Sequence, residues 1–291
     1  MPPPDRWLVL TVDIGADDPF RDLVAEGLLV LGGRSVLDEA GSLTTYLDPP
    51  ADPEAFAVVA QRTLGDLVGS TGLKAHWRWQ PNEDWEREWR RGLQARQVSP
   101  RVVVKPSWTE WEGQPSHVVI EIDPQMAFGT GEHPTTRGCL RLIDRLIEPG
   151  DRALDIGSGS AILAIAAARL GAREVVAIEY DPDANINARE NLARNDAEGV
   201  VTLWEEMADA GLIARLGPFD LVLANILSGV IRPLLPALSM SLSMYGRLIV
   251  SGILIEERTA VMDDAVSAGL QLIAEDQEEG WWSGALENRQ E

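Results

Sequence analysis

A chain of 291 residues, 45% of them hydrophobic and 24% charged, is long enough for two domains and too apolar for disorder throughout. Its 46 acidic and 25 basic residues leave a formal net charge of −21, which disfavours a nucleic-acid backbone as the main partner and favours a basic one. The single cysteine, Cys139, excludes an internal disulfide and fits a reducing cytoplasm; beside Leu140 and Leu142 on a helical stretch it reads as core packing. The apolar run Trp7–Val12 stops at Asp13, too early for a signal peptide, and the run Ala161–Ala168 is far short of the roughly 20 residues that cross a bilayer. Neither export nor membrane insertion is expected.

From the N-terminus the pattern predicts a strand over Trp7–Val12, a helix near Pro19–Leu31, strands at Ser35–Leu37 and Leu43–Leu47, a helix near Pro53–Val68 and a strand over Leu73–Trp79. That order, strand, helix, strand, strand, helix, strand, is the split βαβ arrangement of a ferredoxin-like α+β domain over residues 1–80. It carries no acid–base pair, metal cluster or glycine loop, so recognition is its expected task. Residues 81–100 read as a helical linker: Trp85 and Trp89, four apart, share a helical face. Six of the ten tryptophans fall between Trp77 and Trp111, a crowding read as packing between domains. Arg87, Arg90, Arg91 and Arg96 read as a solvated face paired with Glu83, Glu86 and their neighbours.

Two further strands, Arg101–Val104 and His117–Ile122, lead to a glycine–threonine segment and a helix over Thr135–Leu146. Strands and helices then alternate: Ala153–Ile156, Ala161–Leu170, Glu174–Ile178, Pro182–Asn195, Val200–Trp204, Leu221–Ala224, Ser228–Ser241, Arg247–Gly252, Glu256–Ala268 and Leu270–Asp276. Continuous apolar strands in such alternation indicate a parallel α/β sheet covered on both faces, and residues 101–291 form the second domain. The last acidic residues, from Glu287, are expected to fray.

Leu154-Asp-Ile-Gly-Ser-Gly-Ser-Ala161 reads as a buried strand, a glycine turn and a helix start, and an acid, Glu179, stands roughly 20 residues further on at the tip of the next strand. Gly157 and Gly159 let a nucleoside lie against backbone that a Cβ would obstruct, and Glu179 can accept both ribose hydroxyls. The third glycine of a dinucleotide fingerprint is replaced by Ile162, and the turn from Gly157 to Ala161 holds no cation for a pyrophosphate. A phosphate-free nucleoside with a positive sulfonium, S-adenosylmethionine, fits better, and no metal site is expected. The crevice should lie at the carboxyl ends of the strands, where Gly157, Glu179 and Asn225 fall.

Phe128-Gly-Thr-Gly-Glu-His-Pro-Thr-Thr136, followed by the Asp155-Ile-Gly-Ser-Gly turn and then by Asn225-Ile-Leu227, resembles the bacterial ribosomal protein lysine methyltransferases that modify protein eleven of the large subunit. The likeness runs from about Asp84-Trp85 to the C-terminus. It implies a Rossmann-like class I methyltransferase domain joined to the smaller N-terminal domain that the family uses to grip its substrate. It also implies that Thr136, Gly157, Glu179 and Asn225 contact S-adenosylmethionine, with Phe128, Gly129 and Gly131 shaping a loop beside it. The implied protein is a cytoplasmic monomer that methylates lysine amines, and terminal amines as well, of a basic large-subunit ribosomal protein, several times on one lysine, with no direct nucleic-acid contact.

Each role has a second reading in the residues themselves. The Thr136 hydroxyl stands near a helix start and could cap it instead; His133 could be a base, but a turn or hydrogen-bonding role suits a residue before proline better. Two positions depart from the family pattern, Ala161 in place of glycine and Glu179 in place of aspartate. Ala161 is expected in the first helical turn without strain, and Glu179 keeps its carboxylate on a longer stem. A lysine amine costs roughly 4 kcal/mol to deprotonate at neutral pH. A neutral acceptor is therefore preferable to a carboxylate, and the Asn225 side-chain carbonyl is the candidate catalytic group that orients the amine. A nicotinamide-dependent oxidoreductase and a non-catalytic ribosome-binding module remain the alternatives.

Overall fold

The computed structural model describes residues 4–15, 18, 20–34, 36–39, 41–68, 73–81, 94–123 and 129–289. The chain divides into two compact units, residues 1–93 and 94–291. Trp85, Trp89, Arg87, Arg90, Arg91 and Phe128 lie outside the described residues.

In the first unit, β1 (Arg6–Asp13), α1 (Arg21–Val30), β2 (Val36–Glu39), β3 (Ser42–Leu47), α2 (Pro53–Val68) and β4 (Lys74–Pro81) follow the expected order. The sheet runs β2-β3-β1-β4 with antiparallel pairing throughout. Period-two alternation sends Leu8, Leu10 and Val12 of β1 and Leu43 and Leu47 of β3 to one face. Val24 and Leu28 of α1 and Ala60 and Leu64 of α2 bury them there. Trp77 and Trp79 of β4 pack against the same core, their ring centroids 5.8 Å apart in an edge-to-face pair.

The second unit opens on a small sheet of β5 (Arg96–Gln97), β6 (Val102–Lys105) and β7 (Val118–Glu121). Part of the stretch expected as a helical linker is therefore extended, because Arg96 and Gln97 pair with Val104 and Val103. Arg96 itself meets Glu132 at 3.3 Å; Glu83 and Glu86, its expected partners, lie outside the described residues.

Then come α3 (Pro134–Leu146), β8 (Arg152–Ile156), α4 (Ile162–Arg169), β9 (Glu174–Ile178), α5 (Pro182–Arg194), β10 (Val201–Trp204), α6 (Ala210–Leu216), β11 (Phe219–Asn225), α7 (Ser228–Met240), β12 (Leu242–Leu254), a 3₁₀ turn, α8 (Arg258–Ser267), β13 (Leu270–Glu278) and β14 (Trp281–Asn288). The sheet order is β10-β9-β8-β11-β12-β14-β13, parallel except for β14. This is a mixed α/β, Rossmann-like fold built on a large, mainly parallel sheet.

Neighbouring residues on each strand serve opposite faces. Ala153, Val175, Leu221 and Ile249 bury against α3, α4 and α5, whereas Leu154, Val176, Val222 and Leu248 bury against α6, α7 and α8. The chain leaves β8 toward β9 and β10 and returns to β11 on the other side, so β8 and β11 flank the topological switch point.

Besides β5, two further elements escaped the sequence reading. The short helix α6 was missed because its 7 residues span too few turns to display a helical period. The strand β14 was missed because Gly284 and acidic neighbours break its alternation. Glu287, expected to fray, pairs in register with Arg247 and Gln271. The hairpin of β13 and β14 is fastened to α3 by Arg141, which meets Asp276 at 2.5 Å and Glu278 at 2.7 Å, and by Arg137, which meets Glu278 at 2.7 Å. Among the described residues no helix is long and apolar enough to cross a membrane.

Candidate functional site

β8 delivers Gly157 to its carboxyl end with φ of +66°, a left-handed conformation that glycine adopts freely. A Cβ there would lie 2.5 Å from the Ile226 side chain, so substitution would push on the segment after Asn225. The Gly157 and Ser158 amides both donate to the Ile178 carbonyl, at 2.9 and 3.1 Å, which folds the turn over the end of β9. Glu179 is the next residue on that strand and is buried. Its Oε2 accepts the Gly159 amide at 3.0 Å and its Oε1 accepts the Asp181 amide at 2.9 Å. The acid thus holds the glycine turn in place while each oxygen keeps a further lone pair for a ligand.

Ala161 corrects the sequence reading. It is the N-cap of α4 rather than part of its first turn, with φ of +64° and ψ of +18°. An L-residue in that region carries roughly 1–2 kcal/mol of steric strain, which a glycine avoids.

At the end of β11, the Asn225 Nδ2 lies 3.5 Å from Thr136 Oγ1, a long hydrogen bond between residues 89 positions apart. The Asn225 Oδ1 is shielded from solvent and has no hydrogen-bond partner among the described residues. Thr136 is fully buried and does not cap its helix. That role belongs to His133, whose Nδ1 lies 3.3 Å from the Thr135 amide and 2.7 Å from its hydroxyl, with Pro134 opening the helix. The His133 ring packs edge-on against Trp281, at 5.0 Å between centroids. Burial, and then the Arg137 charge, lower its pKa, so the imidazole is held neutral as an acceptor.

Gly129, with φ of +101°, packs against Ser160, whose hydroxyl donates to the Gly129 carbonyl at 2.6 Å. Gly131 sits against β6, where an added Cβ would lie 2.8 Å from Val104. The two glycines therefore run alongside the turn that leads into α4. Of the expected site residues, Thr136 and Asn225 meet directly, Gly157, Gly159 and Glu179 form one hydrogen-bonded unit, and Gly129 and Gly131 border it.

Asp155 stands on β8, two residues before the Gly157 turn. It is 1% exposed; its Oδ2 accepts the Ala164 amide at 3.0 Å and its Oδ1 has no partner among the described residues. Burial pushes its pKa up to about 7, the Ala164 hydrogen bond opposes the rise, and the charge of Glu179 adds to it. An acid inside an otherwise apolar strand was the available signal. Cys139 is buried and its thiol is pushed up to about 12, as suits a packing role. With the Glu179 carboxylate bound to it and no cation between residues 157 and 161, the turn can hold a positively charged nucleoside and is ill suited to a pyrophosphate.

The model of the family described as "Ribosomal protein L11 methyltransferase (PrmA)" matches residues 29–289. The chain belongs to the ribosomal protein L11 methyltransferase family. A relative named ribosomal protein L11 methyltransferase in Geobacter metallireducens is 45% identical, with 96% of this chain and 97% of that protein aligned. One of the same name in Symbiobacterium thermophilum is 40% identical over 94% of this chain and 96% of that protein. The crystal structure of a ribosomal protein L11 methylase from Lactobacillus delbrueckii subsp. bulgaricus superposes with a TM-score of 0.61 at 28% identity, covering 68% of this chain and all of that one.

Proposed function

We propose that this protein transfers methyl groups from S-adenosylmethionine to lysine amines, and terminal amines as well, of the large-subunit ribosomal protein L11. The observation that carries the reading is the convergence of the glycine turn, Glu179 and the Thr136–Asn225 pair at the carboxyl ends of β8, β9 and β11, in a chain of this family. When bound, S-adenosylmethionine supplies a methyl group already activated on a sulfonium.

The protein's own residues are left with placement and deprotonation. Gly157 and Gly159 admit the nucleoside, the free lone pairs of Glu179 receive the ribose hydroxyls, and Thr136 borders the cofactor together with Asn225. Gly129 and Gly131 shape the loop beside it. The unpartnered Asn225 Oδ1 accepts a hydrogen bond from the incoming amine. As a neutral acceptor it does not stabilise the ammonium form as a carboxylate would.

Residues 1–80 are read as the recognition domain, and the sheet order β2-β3-β1-β4 with two helices on one face supports the ferredoxin-like assignment. Residues 101–291 are the transfer domain. A net charge of −21 suits a basic protein substrate, and the reading includes action as a cytoplasmic monomer.

Incubation with methyl-labelled S-adenosylmethionine and total ribosomal proteins tests this function. A labelled band at L11 is the expected result. No transfer by folded protein to any ribosomal protein would overturn it.

A further inference from the structure

The helix α5 and its C-cap carry four asparagines, Asn185, Asn187, Asn191 and Asn195, each at most 3% exposed. Spacing of four places the last three on one face. Buried amides are costly unless paired, and apart from the Asn185 Oδ1, which has no partner among the described residues, these are paired mainly with backbone rather than with one another. Asn195 accepts the Glu121 amide at 2.8 Å and donates to the Glu121 carbonyl at 2.7 Å, a two-point pairing like that of a neighbouring strand. Asn187 donates to the Asp123 carbonyl at 3.3 Å. Asn185 donates to the carbonyls of Glu179 and Asp181, at 2.9 and 3.0 Å.

Asn191 joins the two sides. Its Oδ1 accepts the Asp123 amide at 3.3 Å and its Nδ2 donates to the Ser160 carbonyl at 3.1 Å. The partners settle which atom is which, since an amide needs an acceptor and a carbonyl a donor. The side chain is used to capacity, because Nδ2 also reaches Asn187 at 3.4 Å and Oδ1 receives Arg194 at 3.2 Å. Ser160 in turn holds the Gly129 carbonyl through its hydroxyl. A continuous chain of hydrogen bonds therefore runs from Asp123 through Asn191 and Ser160 to Gly129.

We propose that Asn191 and Ser160 are positioning residues that set the Gly129–Gly131 segment against the glycine turn and so shape the nucleoside pocket. The inference rests on the methyl-donor reading above. Asn195 is the internal comparison: it makes equally good hydrogen bonds, but to Glu121 and to the Asn191 backbone carbonyl, with none to the turn.

Calorimetric titration with S-adenosylmethionine, together with amide hydrogen exchange on the donor-free protein, tests it. Asn191→Ala and Ser160→Ala should each weaken donor binding about tenfold, with the loss appearing in the donor KM rather than in kcat. Both should speed exchange at residues 129–131. Asn195→Ala should lower the melting temperature and leave donor affinity and that exchange unchanged. If Asn191→Ala does not fold, Ser160→Ala, which removes one hydroxyl, carries the test. Unchanged affinity in Ser160→Ala, or an equal loss in Asn195→Ala, overturns the proposal. Absence of binding by the unsubstituted folded protein would instead overturn the donor reading, and the exchange measurement would still decide the coupling.

Discussion

The Glu179 carboxylate accepts the Gly159 amide at 3.0 Å, so the acid at the tip of β9 and the glycine turn after β8 form a single unit. A glutamate can do this while its second oxygen accepts the Asp181 amide. Glu179→Gln would turn an NH₂ group toward one of these backbone amides and leave that amide without an acceptor. The expected result is a stability loss of about 1–3 kcal/mol and weaker donor binding. Urea unfolding and calorimetry check the two effects separately.

Ala161→Gly should stabilise the protein by about 0.5–1 kcal/mol, since relief of the left-handed strain exceeds the added entropy of the unfolded chain. The urea midpoint should rise with an unchanged slope. A lower midpoint would show that the Ala161 methyl, which is completely buried, contributes more packing than its backbone loses in strain.

Asn225→Asp keeps size and shape while replacing a neutral acceptor by a charged one. Methyl transfer should slow more than cofactor binding weakens, by about tenfold or more in kcat. Single-turnover transfer compared with donor titration checks it, and a rate equal to that of the unsubstituted enzyme refutes the assigned role.

Stability should fall between about pH 4 and pH 7 through Asp155. Its pKa is raised from 3.8 to about 7 on folding, so between these values the folded state holds a proton that the unfolded state has released. The contribution is complete below the lower value and lost above the upper one. Asp155→Asn, which can still accept the Ala164 amide, should remove this part of the pH dependence and be more stable than the unsubstituted protein at pH 8. Melting curves across pH 4–8 provide the comparison.

Much of this was legible in the residue order. Apolar strands alternating with helices specify a covered parallel sheet, because periodicity records which faces are buried, and Gly157 and Glu179 fall at strand ends that the same pattern locates. The resemblance carried by Phe128–Thr136 supplied the family. The extended pairing of Arg96–Gln97 and the hairpin closed by β14 were not legible, since short or glycine-broken strands are stabilised by their partners rather than by their own pattern.

The sequence by itself determined the mainly parallel α/β sheet and the family, for these rest on local periodicity and on the Phe128–Thr136 string. Only the tertiary structure decided the left-handed backbone at Ala161, the meeting of Asn225 with Thr136, the unpartnered oxygen of Asp155 and the asparagine face of α5. Each of these depends on atoms brought close by packing of distant segments, and a hydrogen bond or a buried charge has no signature until its partner, or the lack of one, is in place.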